Sequence, residues 1–291
     1  MKKIKKNTSL NASFNTSKNL IKSGVLGEKA KTLYSLKDKT DTPEYFYKAL
    51  LSMYEKPEKI YGIKNTIELT YTFIEIIAES QIVNGSQVPI DVLTSIWRGT
   101  ASNPSFECFS AYLDFVCAHK SLEKPKNIEF SQLEKYNYST LLLSTYAKGV
   151  ELINKFLIFI ITLLEKIDHI EDHLEENSKL SLFKKINKFL ELSDGKYDKL
   201  ANIVDRKIRN AYSHSNFTPN FVNDEYIFQN NGKEFTVSFE EMIFKVYPQI
   251  NWFISAFIGA TYLLVLVNQD INLYKMAINH INDLNKRSDL I

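Results

Sequence analysis

From Pro43 onward apolar residues recur at three- and four-residue spacing, as in Phe46, Leu50, Leu51 and Tyr54, then Ile63, Ile67, Leu69, Phe73, Ile76 and Ile77. That period lines one side of a 3.6-residue helix and predicts amphipathic helices. Asn84-Gly85-Ser86 breaks the second of them. Val88 to Trp97 reads as a short helix, and Pro104 to Ala118 as another that packs Cys108 and Cys117 among Phe106, Phe109, Phe115 and Val116 as inert core thiols. A long helix is expected from near Tyr138, carrying the apolar run Phe156 to Leu164 and then a solvated acidic end from Glu165 to Glu176. Leu180 to Leu192 predicts a further helix stopped by Asp194-Gly195. A third covers about Tyr197 to Ser213, with Pro219 closing off any extension. Glu225 to Phe228, the turn Asn230-Asn231-Gly232 and Glu234 to Ser238 predict a β-hairpin, after which helical texture resumes over Phe239 to Val267 and Ile271 to Leu284. The chain is therefore expected to be all-α with a small β-hairpin insert.

The segment Val246 to Gln269 contains no charged residue, and Ile250 to Val267 is mostly apolar, close to the shortest length that spans a bilayer. Pro248, Asn251, Ser255 and Thr261 interrupt it, and aromatic and basic anchors are missing at its ends. The expectation is a helix buried in a core or at a subunit interface, with no membrane partner. Residues 1–40 show no sustained apolar period. They hold ten Lys against Glu28 and Asp38, beginning with the run Lys2-Lys3-Ile4-Lys5-Lys6, and read as a basic flexible segment. The Lys/Pro-rich stretch from Lys120 to Asn127 suggests a boundary, giving a helical region over 41–125 and a helical domain over 126–291.

The net charge of +2 conceals that asymmetry. No glycine-rich phosphate loop is present, which removes dinucleotide and P-loop chemistry. The two cysteines lack metal-ligand spacing, and no apolar leader is found, so a reduced cytoplasmic protein is expected.

Only four arginines stand among thirty-two lysines, yet two lie in Asp205-Arg206-Lys207-Ile208-Arg209-Asn210-Ala211-Tyr212-Ser213-His214. A guanidinium stays ionised and offers a planar fork to phosphate oxygens, and an imidazole moves protons near neutral pH. Together they make a phosphodiester-cleaving pair that needs no metal and no cofactor. Arg206, Asn210 and His214 fall at four-residue intervals and line one side of a helix. Arg209 and His214, five apart, stand about 140° apart on it. Either the helix loosens near Ser213 or a symmetric copy completes the site. A purely structural role would instead pair Arg209 with Asp205 one turn back and leave His214 as a C-terminal cap.

The run Ile208-Arg209-Asn210-Ala211-Tyr212-Ser213-His214 resembles the R-x4-6-H signature, with Asn after Arg, of the HEPN (higher eukaryotes and prokaryotes nucleotide-binding) superfamily. The surroundings, about Tyr138 to Leu284, are similar too: long helices before the motif, a strand-like insert after it and an apolar closing helix. The resemblance implies a HEPN-like helical bundle in the C-terminal half, dimerising through the motif helices. It further implies a metal-independent endoribonuclease of toxin–antitoxin or phage-defence type. In that reading Arg209, His214 and Asn210 are catalytic. Arg206, Lys207, Tyr212 and Ser213 bind substrate, RNA is the substrate and a homodimer the working form, with an antitoxin or nucleotidyltransferase as a further partner. The alternative is a non-catalytic nucleotide- or protein-binding module of the same fold.

Other signals point to structure. Glu165, His169 and His173 recur at helical spacing, as metal ligands can. Without a remote ligand they read as a solvated charged face, so no metal site is expected. His119 and His280 stand alone. Tyr212 could stack on a base or pack in the core.

Overall fold

The computed structural model describes residues 8–54, 62–100, 102–122, 131–171, 173–230 and 232–288. Helices α1 (Thr8–Lys22), α2 (Glu28–Leu36), α3 (Thr42–Tyr54), α4 (Ile63–Asn84), α5 (Gln87–Arg98) and α6 (Phe109–Leu122) precede the long α7 (Gln132–Ile167). Then come α8 (Leu174–Lys179), α9 (Leu182–Ser193), α10 (Asp198–Ala201) and α11 (Arg206–Ser213). A three-stranded antiparallel sheet follows, β1 (Phe217–Asn220), β2 (Glu225–Asn230) and β3 (Lys233–Ser238), in spatial order β1-β2-β3. The short α12 (Phe239–Glu241) leads through a π-helical turn into α13 (Tyr247–Gln269), and α14 (Ile271–Ser288) closes the chain.

The charge-free α13 is the hub, packed against α3, α4, α7 and α14. Phe257 stacks on Phe156 with ring centroids 3.9 Å apart and meets Phe73 and Phe159 edge-on. The continuous helix Phe239–Gln269 is, among the described residues, the one long and apolar enough to cross a membrane. Of its most apolar window, 67 % is buried inside the protein. Its apolar surface is thus met by other helices. At Gly149 of α7, an added Cβ would run into Ile250 and Phe115, so the missing side chain is what lets α6, α7 and α13 approach. One buried core joins Phe73 and Ile96 to Leu143, Phe189 and Phe257, so regions 41–125 and 126–291 pack together rather than standing apart. Of the proposed boundary, Lys120 and its next two residues finish α6, and residues 123–127 lie outside the described residues.

Several expectations need correction. Residues 1–40, read as a flexible segment, form α1 and α2 over their described part. α1 docks on α6, where Phe14 packs on Phe109 at 4.3 Å and Ser13 Oγ lies 2.7 Å from Ser110 Oγ, and Leu10 one turn earlier is buried. The Lys2-to-Lys6 run lies outside the described residues. Pro104 begins a 3-10 turn, and α6 proper starts at Phe109. α7 begins earlier than Tyr138, at a capping box in which Ser131 Oγ accepts from the Glu134 N–H and Glu134 Oε2 from the Ser131 N–H. It ends at Ile167, and Glu165 is buried, not solvated. The segment 197–213 is two helices rather than one. Pro219 does not end α11 but sits in β1, an edge strand, where a residue with no N–H is tolerated. The insert therefore has three strands, with Phe217, Phe228 and Phe235 in register across them; Asn231 of the turn lies outside the described residues.

Candidate functional site

α11 starts where Asp205 caps it. Asp205 Oδ1 accepts from the backbone N–H groups of Lys207 (2.8 Å) and Ile208 (3.2 Å), which would otherwise be orphaned. Tyr146 of α7 holds the cap in place. Its buried hydroxyl donates to the Asp205 carbonyl at 3.1 Å and accepts from the Asp205 N–H at 3.0 Å. Burial, helped by the Asp205 carboxylate, pushes the Tyr146 phenol up and keeps it a neutral donor.

At the other end the Asn216 N–H reaches the Ala211 carbonyl (2.8 Å) and the Ser215 N–H the Tyr212 carbonyl (3.0 Å), with Ser215 left-handed at φ 55°. This is a Schellman closure, and it places His214 at the C-cap. Ile208 and Ala211 face the core while Arg206, Lys207, Asn210, Ser213 and His214 face outward, with Asn210 half-buried.

Arg209 does not pair with Asp205, whose carboxylate is committed to the cap. Its Nη2 lies 2.6 Å from Glu151 Oε1 of α7, its Nη1 reaches Asn210 Oδ1 at 3.4 Å, and its buried Nε has no hydrogen-bond partner. Both side chains keep solvent contact, so the ion pair is worth at most about 1 kcal/mol. The guanidinium is thus held but can be competed for.

Arg206, Lys207, Arg209 and Asn210 line a cleft of about 460 Å³, together with Asn154, Ser181, Phe183 and Asn230. Tyr212 and Ser213 line a neighbouring cleft of about 320 Å³ with Lys148 and Glu151. The Arg209–Glu151 pair therefore bridges the two recesses. His214 lines neither, so within one chain Arg209 and His214 do not share a crevice. Tyr212 packs on Phe217 with centroids 5.5 Å apart.

In the first cleft the Arg206 guanidinium sits 4.8 Å over the ring of the half-exposed Phe183, a cation–π contact on a surface suited to stacking. Behind it, Lys185 is buried and donates to both the carbonyl and Oδ1 of Asn154 at 3.0 Å. Burial, with the Lys155 ammonium adding to it and Glu151 opposing it, pushes the Lys185 amine down to about 8. Tyr146, Glu151, Asn154, Phe183 and Lys185 escaped the motif reading. One signal was available: Lys148, Glu151, Asn154 and Lys155 recur at three- and four-residue steps along the middle of α7.

The other candidates hold structure. Because α7 ends at Ile167, Glu165, His169 and His173 do not share a helix. Glu165 is buried 2.5 Å from Lys188 Nζ, with Asn177 Nδ2 donating to it at 2.7 Å, and His173 Nδ1 lies 3.5 Å away. Among the described residues no group of three or more His, Cys, Asp or Glu is arranged to hold a metal ion; Asp172 lies outside them. Burial raises the thiols of Cys108 and Cys117, although Cys117 is only half-buried. His119 Nδ1 lies 2.5 Å from the Tyr247 hydroxyl, and its ring stacks on Phe115.

No protein-family model, no curated protein and no solved structure matches this chain.

Proposed function

We propose that this chain is a metal-independent endoribonuclease of HEPN type that acts in the cytoplasm as a homodimer, with RNA as substrate. The observation that carries the reading is the outward face of α11, where Arg206, Asn210 and His214 follow one another beside a polar cleft with Arg209 at its edge. Because His214 stands beyond that cleft, the site is completed by a second copy, whose α11 brings its own histidine to the first copy's arginine. His214 takes the proton of the ribose 2′-OH, the 2′-oxygen attacks phosphorus, and Arg209 holds the charge that gathers on the phosphoryl oxygens. The 5′-oxygen leaves with a proton, giving a 2′,3′-cyclic phosphate and a 5′-hydroxyl. DNA, lacking the 2′-OH, is a poor substrate. Asn210 orients the phosphate, Arg206 and Lys207 hold the backbone, Phe183 offers a stacking ring and Ser213 and Tyr212 frame the far side. Such an activity suits a toxin or phage-defence effector restrained by an antitoxin or nucleotidyltransferase partner.

The 2.6 Å Arg209–Glu151 pair favours a second reading, a non-catalytic binding module of the same fold, since it occupies the guanidinium that catalysis requires. RNA incubated in EDTA with wild type, Arg209→Ala, His214→Ala and Glu151→Gln separates the two. Expected is cleavage lost by about 100-fold or more in the first two variants and retained or raised in Glu151→Gln, which frees Arg209. Equal cleavage by all four proteins rejects the nuclease. Undetectable cleavage with RNA retention that falls only in Arg209→Ala supports the binding module.

A further inference from the structure

Away from α11, a cavity of about 580 Å³, partly open to solvent, lies among α2, α3, α6 and α13. Its size is that of a small-molecule site rather than a packing defect. The floor is firm: Phe115, Ile254 and Ile258 are buried core residues. The cover is not. α2 contributes Ala30 and Leu33 to the cavity, yet none of its nine residues is buried. It is entered through Gly24 and Gly27, both at positive φ, and has no side-chain cap. A helix this short does not hold itself together in water and draws its stability from what it packs against.

Four of the polar groups that line it are neutral and unspent. Tyr112, Tyr262, Asn251 and Ser255 all line the cavity, and none of their side chains makes a hydrogen bond with a described residue. Burial pushes both phenols up, so they remain hydroxyls at any physiological pH. The α13 wall carries no charge; the charged lining residues come from the other walls, Glu28 and Lys29 exposed on α2 and Lys120 half-buried beside His119 on α6. An ion pressed against the α13 wall would be desolvated with no countercharge on that helix, whereas an uncharged molecule could satisfy the idle donors and acceptors there.

We propose that this cavity binds a small, uncharged, mostly apolar molecule with one or two hydrogen-bonding groups, and that α2 is the lid that tightens over it. The site is independent of the nuclease reading. The test uses the full chain and the neutral fluorophore N-phenylnaphthylamine, with decanol and decanoate as competitors at pH 8. Expected are saturable one-to-one binding, displacement by decanol but at least tenfold weaker displacement by decanoate, and slowed amide exchange across α2 when decanol is present. Ala30→Trp, which fills the cavity from the lid without touching the buried core, should weaken probe binding at least tenfold at an unchanged melting temperature. Non-saturable binding, equal displacement by decanoate, amide exchange in α2 that decanol leaves unchanged, or wild-type affinity in Ala30→Trp would overturn the proposal.

Discussion

The cleft beside α11 and the cavity beneath α2 are recesses of similar size built on opposite principles. The cleft is walled by ionised and amide groups whose partners are already assigned, Arg209 to Glu151, Arg206 to the Phe183 ring and Asn154 to Lys185. The cavity is walled mainly by apolar side chains and by the hydroxyl and amide groups of Tyr112, Tyr262, Asn251 and Ser255, which have no hydrogen bond to a described residue, with Glu28, Lys29, His119 and Lys120 on its other walls. Charged groups at a solvated rim cost little to hold and are screened, so a polyanion competes for them readily. Neutral groups on a largely apolar wall discriminate by whether a guest leaves them unpaired. One chain can therefore carry an electrostatic site and an apolar one without either disturbing the other.

If the two recesses are separate, damage to one should spare the other. The largest expected effect is at the cavity floor. Phe115→Ala should cost about 3 kcal/mol in urea unfolding, because a buried ring is lost and the void widens, while RNA affinity at α11 stays within about twofold in the folded variant. A parallel loss of RNA affinity would show that the core couples the sites.

Next comes Lys185 behind the cleft. A lysine whose pKa falls to about 8 on folding binds fewer protons in the folded chain than in the unfolded one between pH 8 and 10.5. Stability therefore rises with pH through that window. The penalty is fully present below about pH 8 and absent above 10.5, and it amounts to about 3 kcal/mol. Lys185→Met should be more stable than wild type by about 1–2 kcal/mol at pH 7, since the two lost hydrogen bonds to Asn154 offset part of the relief. The variant should also lose the wild-type gain between pH 8 and 10, measured by denaturant titration at both values. An unchanged pH slope would mean that this amine is not desolvated. The smallest effect belongs to Asp205→Ala, which removes the α11 cap for about 1 kcal/mol. RNA binding should fall more than probe binding in the cavity, and equal losses would point to global loosening instead.

How far a residue's partner lies along the chain explains which features could be read in advance. The outward stripe Arg206, Asn210 and His214 follows from a four-residue interval, and the hairpin of β2 and β3 from the turn Asn230-Asn231-Gly232 between two short segments. The apolar, uncharged α13 announced a buried helix by composition, and the core bears this out. Boundaries were less accessible. The split of 197–213 depends on Asp205 preferring to cap α11 while Tyr146, far away in α7, grips its backbone, and no local pattern reports that hydroxyl. In the same way the acidic end of α7 looked solvated because Lys188 and Asn177, which neutralise and bond Glu165, come from later helices.

Periodicity, caps and turns are settled by atoms a few residues apart, so composition and spacing alone decided that this chain is helical, where a small sheet interrupts it and which face of α11 points outward. Packing settled the rest. Whether Arg209 meets Asp205 or Glu151, whether a carboxylate at position 165 is wet or dry, and whether α2 covers a solid core or an empty space all depend on how α7, α9 and α13 cross. Those crossings emerge from the simultaneous fit of many buried side chains, a collective property that no short window of residues carries.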